Sequence, residues 1–238
     1  MTLRVVAHRG ASGEAPENTW AALARARDCG AAWVEVDVQR TADGVLVLVH
    51  DDSWQRTATV DRSIASTPWV EVADFDVGRW FAPEFAGEKV PTLEGILAHT
   101  DLYFDLEIKS PEFHPGLAAE IVAMIRRHGA QHRVVLTCFD PEVVEDVATQ
   151  APDLRAGYLA AHPLGRTHGA VSVYAIEAGV LLGHAGYAAE LRRRGVEVWA
   201  WTVDDPALAG PLAAAGVQAV ITNYPARWLD RGARRTGR

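Results

Sequence analysis

An α/β fold, an eight-stranded (β/α)8 TIM barrel, is what this sequence predicts, and three observations predict it. Strand-like runs centred near Val5, Val36, Phe104, Val135, Gly157, Val173, Val198 and Val220 alternate with helical stretches along 238 residues. Eight such units in about 250 residues is the arithmetic of this barrel. No Pro/Gly/Ser-rich linker divides the chain, and 49% hydrophobic composition supplies one large core, so a single domain over 1–230 is expected. Polar side chains also stand at the C-terminal ends of the early strands, where a barrel assembles its site. A doubly wound open sheet is the alternative, but no Gly-rich dinucleotide loop follows the first strand.

The elements follow in order. Arg4 to Ala7 is a short β-branched run ending in His8-Arg9-Gly10. Asn18 or Thr19 can cap a helix whose buried stripe is Trp20, Leu23 and Ala24, and Gly30 stops it. Val34, Val36 and Val38 then alternate with Glu35, Asp37 and Gln39, which is a strand period with acidic groups on one face. Asp43-Gly44 signals a hairpin, and Val45 to Val49 returns as an arm ending in His50. A two-residue loop sets His50 opposite Asp37 and a four-residue loop sets it opposite Glu35. Either register puts the imidazole on the acidic face, whereas a three-residue loop turns it away.

Residues 51–90 have mixed polarity with scattered aromatics, and they read as an insertion after strand two with a small satellite core. Beyond it, Thr92 caps a helix carrying Leu93, Ile96 and Leu97, and Leu102 to Lys109 alternates as a strand. Helices at Leu117–Ile125, Pro141–Ala148, Gly186–Arg194 and Pro206–Ala215 separate strands at Val134–Phe139, Arg155–Leu159, Val171–Ile176, Val196–Val203 and Gln218–Thr222. A weak Gly-rich stretch runs to Ala170, and 231–238 reads as a basic, fraying tail.

Composition excludes some partners. A net charge of -8 argues against a nucleic-acid surface. Cys29 and Cys138 each stand in apolar segments, which fits reduced core residues better than a disulfide framework. No apolar run approaches a membrane span or a secretory leader, so a cytoplasmic protein without stable membrane insertion is expected.

In a parallel barrel the strand ends share one mouth, which collects His8, Arg9, Glu35, Asp37, Glu107 and Lys109, with His50 brought back by the hairpin. A solvated strand face is the ordinary explanation of an isolated Glu-x-Asp. Together, however, three carboxylates can hold one hard divalent cation, Mg2+ or Ca2+, two histidines can act as base and acid, and Arg9 with Lys109 can neutralise a phosphate. The other histidines lack ligand spacing and read as surface or core residues.

These residues resemble a known family. His8-Arg9-Gly10, Pro16-Glu17-Asn18-Thr19, Glu35-x-Asp37, Asp43-Gly44 with His50-Asp51, Pro91-Thr92-Leu93, Glu107-Ile108-Lys109, Trp201-Thr202-Val203 and Thr222-x-Tyr224-Pro225 are similar to the ordered motifs of the glycerophosphodiester phosphodiesterases. The match runs from Arg4 to about Trp228, and Gly78-x-Trp80-Phe81 in the insertion is similar as well. The resemblance implies a TIM barrel that hydrolyses small-molecule glycerophosphodiesters to glycerol 3-phosphate and an alcohol. It implies Glu35, Asp37 and Glu107 as metal ligands, His8 and His50 as the acid/base pair, and Arg9 and Lys109 at the phosphate. Glu17, Phe139 and Trp201 would shape the pocket. It further implies attack by the glycerol 2-hydroxyl and a cyclic phosphate that water opens. Cys138, Asp204 and Asn223 depart from the family pattern, in which serine, asparagine and aspartate are common at those places. The rival readings are a related barrel phosphodiesterase acting on lysophospholipids and a catalytically silent phosphate-binding barrel.

Overall fold

Residues 3–164, 171–184 and 186–233 are described by the structure, a computed structural model. The chain runs β1 (Arg4–His8), α1 (Trp20–Asp28), β2 (Trp33–Arg40), β3 (Leu46–Leu48), α2 (Gln55–Ala58), α3 (Trp69–Val72), α4 (Leu93–His99), β4 (Tyr103–Ile108) and α5 (Leu117–Arg127). It continues through β5 (Val134–Cys138), α6 (Pro141–Gln150), β6 (Arg155–Ala160), β7 (Val173–Glu177), α7 (Ala178–Gly183), α8 (Tyr187–Arg193), β8 (Glu197–Trp201), α9 (Ala209–Ala215), β9 (Ala219–Thr222) and α10 (Pro225–Ala233). Every strand except β3 is parallel to its neighbours, and β1 pairs with both β9 and β2, which closes the barrel. All eight expected barrel strands are present.

Period two decides what each strand shows to which side. Val34, Val36 and Val38 of β2, with Phe104, Leu106 and Ile108 of β4, are buried in the layer between barrel and helices, against residues such as Leu23, Ile96 and Ile121. The inward set is different: Val6, Val135, Leu159, Val173, Trp199, Ala219 and Ile221 fill the barrel itself. Below them, Arg4 and Arg155 both pair with Glu197 at 2.9 and 3.0 Å, and Arg4 lies over the rings of Trp33 and Trp199. This plug closes the N-terminal end, so the opposite mouth is the open one.

Three expectations are corrected. The hairpin loop has three residues, because Thr41 N–H donates to Val45 O at 2.9 Å and the ladder runs Arg40 with Leu46, Gln39 with Val47 and Val38 with Leu48. Gly44, at φ +91, supplies the left-handed residue that such a loop needs. By register alone His50 would turn away, yet the arm stops pairing after Val49, whose N–H donates to Asp37 O, and His50 leaves the strand. Helix α7 was not foreseen between Ile176 and Gly186, and its six residues are too few for a 3.6-residue period to stand out. Helix α10 likewise extends to Ala233, into the stretch expected to fray; 234–238 and most of the Gly-rich stretch before Ala170 lie outside the described residues.

The insertion does form a satellite core. Trp54, Ile64, Val72, Val77 and Val90 pack beneath Val47 and Val49 of the hairpin arm, with Phe75 edge-on to Trp54. No helix among the described residues is long and apolar enough to cross a membrane.

Candidate active site

The register of the first barrel strands brings the acidic face together. β1 ends with His8 beside Glu35, and β2 lies on β4 with Glu35 beside Asp105 and Asp37 beside Glu107. Glu35, Asp37 and Glu107 each offer an oxygen within 4.8 Å of the others. Glu35 Oε1 and Asp37 Oδ1 are buried without a hydrogen-bond partner. Burial first, then the charges of Asp37 and Glu107, push Glu35 well above the ordinary carboxylate range, and burial with Asp37 pushes Glu107 up to about 7. Asp37 behaves oppositely: burial pushes it up, but Arg9, His50, Lys109 and the Asn18 amide together outweigh that and hold it down. Oxygen donors converging with lone pairs unused and like charges crowded are what a hard divalent cation would relieve, so the residues fit one.

Cations and histidines surround this cluster. Arg9 takes a left-handed φ of +55, which aims its N–H at Glu35 Oε2 (2.9 Å) and sets its Nε 3.3 Å from Asp37 Oδ2. Gly10, at φ +82, lets the chain press onto α1, where a Cβ would meet Ala22 Cβ at 2.6 Å. Lys109 Nζ lies 2.8 Å from Glu107 and 3.8 Å from Asp37. His8 Nε2 stands 3.8 Å from Glu35 Oε2, while its Nδ1 meets Asn223 Oδ1 at 2.7 Å. His50 Nδ1 meets Asp51 Oδ1 at 2.8 Å.

His8, Arg9, Glu35, His50, Glu107, Lys109, Phe139 and Trp201 line one cavity of about 130 Å3. Asp37 is completely buried behind them. Phe139 and Trp201 meet edge to face at 5.7 Å, and Trp201 Nε1–H is anchored on Ala175 O at 2.9 Å. Glu17 acts on this cavity from one residue further back. It does not line the cavity but stands behind Arg9, which it holds at 3.0 Å, and it accepts a two-pronged bond from Arg56 of α2 at 2.7 and 2.9 Å.

Sequence reasoning missed the residues that hold these groups in place. Asn18, read as a possible cap, instead uses its amide on Asp37, donating to Oδ2 at 2.8 Å and accepting from Asp37 N–H at 3.2 Å. Thr19 caps α1. Gln39 shares the inward face of Glu35 and Asp37, a position that period two already marks. Its Nε2 lies 3.2, 3.1 and 2.8 Å from the carbonyls of Val49, His50 and Asp51, and its Oε1 lies 3.2 Å from His114 Nε2. Arg56 joins Asp51 to Glu17, and its bonds hold the Asp51 carboxyl down to about 2. Nothing in the sequence singled Arg56 out.

A small cavity that sets cations, a carboxylate cluster and two histidines beside apolar walls of Phe139, Leu159, Trp201 and Ile221 suits a small anionic ester, and on this fold it defines a barrel hydrolase of phosphate esters. Comparison with known proteins narrows that class. The glycerophosphoryl diester phosphodiesterase family model matches residues 8–227. A glycerophosphodiester phosphodiesterase of Caldanaerobacter subterraneus is 34% identical, with 94% of this chain and 96% of that protein covered, and one of Bacillus subtilis is 31% identical over 92% and 83%. Among solved structures, an Oleispira antarctica phosphodiesterase in complex with its product sn-glycerol-3-phosphate superposes with a TM-score of 0.85 at 29% identity, over 98% of this chain and 97% of that one. The chain belongs to the glycerophosphoryl diester phosphodiesterase family and is an enzyme of that activity.

Proposed function

We propose that hydrolysis here depends on a divalent cation, releases glycerol 3-phosphate and an alcohol, and uses His8 and His50 to move the protons. One observation carries this reading: both histidines stand on the wall of the same small cavity, each with Nδ1 engaged by a neighbouring side chain, which leaves Nε2 for chemistry. Glu35, Asp37 and Glu107 would hold one Mg2+ or Ca2+, which when bound polarises phosphoryl oxygens and orients glycerol hydroxyls.

The residues divide the remaining work. Arg9 and Lys109 balance the phosphate charge, and the size of the cavity fits the glycerophosphate end of a diester while the alcohol extends past Phe139 at the rim. As the glycerol 2-hydroxyl oxygen bonds to phosphorus, its proton passes to His8 Nε2. The bond from phosphorus to the alcohol oxygen breaks as His50 Nε2 supplies that oxygen with a proton. Water then opens the cyclic ester, giving its proton to His50 while His8 returns one to the 2-oxygen, so both histidines end as they began. His8 suits the base role because burial, then the Arg9 charge, lowers its pKa and leaves it neutral near pH 7. His50 has behind it the Asp51 carboxylate, which pairs with the imidazolium that a general acid carries.

The test is turnover of glycerophosphocholine by the wild type, with and without a chelator, and by His8→Ala and His50→Ala. The chelator should abolish activity, and each variant should lose roughly 10² to 10⁴ in kcat, the usual consequence of removing a positioned acid or base. Near wild-type kcat in both variants overturns the proton-transfer roles, and activity indifferent to the chelator overturns the cation.

A further inference from the structure

The group behind His8 is itself held from behind. Asn223 Oδ1, 2.7 Å from His8 Nδ1, also accepts from Ser12 Oγ at 2.8 Å. On the far side of the amide, Asp204 Oδ1 accepts from Asn223 N–H at 2.8 Å and from Thr222 Oγ1 at 3.0 Å, while Asp204 Oδ2 accepts from Asn223 Nδ2 at 2.8 Å. A carboxylate accepts and does not donate, so the NH2 of Asn223 must face Asp204. Turning the amide over would set oxygen against carboxylate. With the amide so placed, its oxygen faces His8 and can only accept, and the proton of the neutral imidazole must therefore sit on Nδ1. Nε2 keeps its lone pair and faces the cavity side, 3.8 Å from Glu35.

We propose that Asp204 and Asn223 are positioning residues that select the tautomer of His8: the Asp204 carboxylate orients the Asn223 amide, and the amide oxygen holds the proton on Nδ1. This rests on the reading of His8 as the base, because only that tautomer offers Nε2 as an acceptor. Neither side chain lines the cavity, so both act through the imidazole and not on substrate. When Nε2 takes the hydroxyl proton, the Nδ1–H bond to the amide stays in place and the new cation is already hydrogen-bonded.

The experiment reads the tautomer and turnover separately. Two-bond 1H–15N spectra of the imidazoles, recorded where His8 is neutral, should show the Nδ1–H form in the wild type. In Asn223→Ala they should show a mixture, with kcat on glycerophosphocholine falling about ten- to hundredfold, the usual effect of removing an orienting partner, and KM within about twofold. Asn223→Asp alone sets two carboxylates face to face and should also lose turnover. The exchange D204N/N223D restores one donor and one acceptor in mirrored order, and it should recover the Nδ1–H form and at least about tenfold of the turnover that Asn223→Asp loses. A fall in Tm with the Nδ1–H form retained in Asn223→Ala, or an exchange variant no better than Asn223→Asp, overturns the proposal. If His8→Ala keeps wild-type turnover while Asn223→Ala still mixes the tautomers, the base role fails and the tautomer selection stands.

Discussion

His8 and His50 differ in the acceptor at Nδ1, an amide oxygen for one and a carboxylate for the other, and the division of roles proposed for them rests on that difference. A leaving alcohol that is already acidic needs little protonation, so on a nitrophenyl glycerophosphodiester His50→Ala should recover much of its lost rate in the first step, read as the initial release of nitrophenol, while His8→Ala should not. Equal rescue of the two variants, or of neither, would refute the division. Asp105 is the other informative residue. Its carboxyl is fully buried next to Glu35, with Oδ1 accepting from Thr137 at 2.7 Å and Oδ2 unpartnered, and burial pushes its pKa up to about 7. A raised carboxyl pKa means that the folded state binds more protons than the unfolded one between about pH 4 and pH 7, so stability falls as pH rises through that window. In metal-free protein, Asp105→Asn should therefore raise Tm, relative to wild type, more at pH 8 than at pH 5. A difference in Tm independent of pH would mean that Asp105 ionises normally in the fold.

At the scale of elements, the hairpin is what brings the second histidine to the mouth, although not through its ladder. Pairing in the observed register ends at Val49, and beyond that point Gln39 holds the chain by three successive carbonyls. The insertion supports the same segment from below through Trp54 and Val77, and Ser110 Oγ after β4 donates to Asp52. Gln39→Ala would leave the buried Val49 carbonyl without this partner, and the half-buried His50 and Asp51 carbonyls with it, a loss of roughly 1–3 kcal/mol. Because those carbonyls belong to the His50 segment, kcat should fall while cation affinity changes little. Titration calorimetry with Mg2+ or Ca2+ alongside turnover checks this, and an unchanged kcat would show that the satellite core positions His50 without Gln39.

For the whole molecule, the barrel concentrates charge that folding alone would disfavour. A cation bound only by the folded state stabilises it by about 2.7 kcal/mol at a hundred times its Kd, which for a domain of this size is a rise in Tm of about 5–10 °C. Mg2+ or Ca2+ should produce that rise in the wild type, and Glu107→Gln should lose most of it. A thermal scan in which sodium at equal ionic strength does as much would show simple screening instead. Much of this arrangement was legible from sequence. Period two in Trp33–Arg40 and Tyr103–Ile108 assigns Glu35, Asp37 and Glu107 to one side and the valines, Phe104 and Leu106 to the other, because successive side chains on a strand must face opposite ways. The eight alternating units determined the closed barrel, and parallel strands determined that His8, Asp37 and Lys109 share a mouth. Tertiary structure alone decided the rest. The loop register, the placement of Glu17 behind Arg9, and the bonds that Asn18, Gln39, Arg56, Asp204 and Asn223 make to the site all depend on how the packed chain brings side chains and backbone together, whether the partners are four residues apart or more than two hundred. Local periodicity carries no information about which such partners the packed backbone brings within hydrogen-bonding distance.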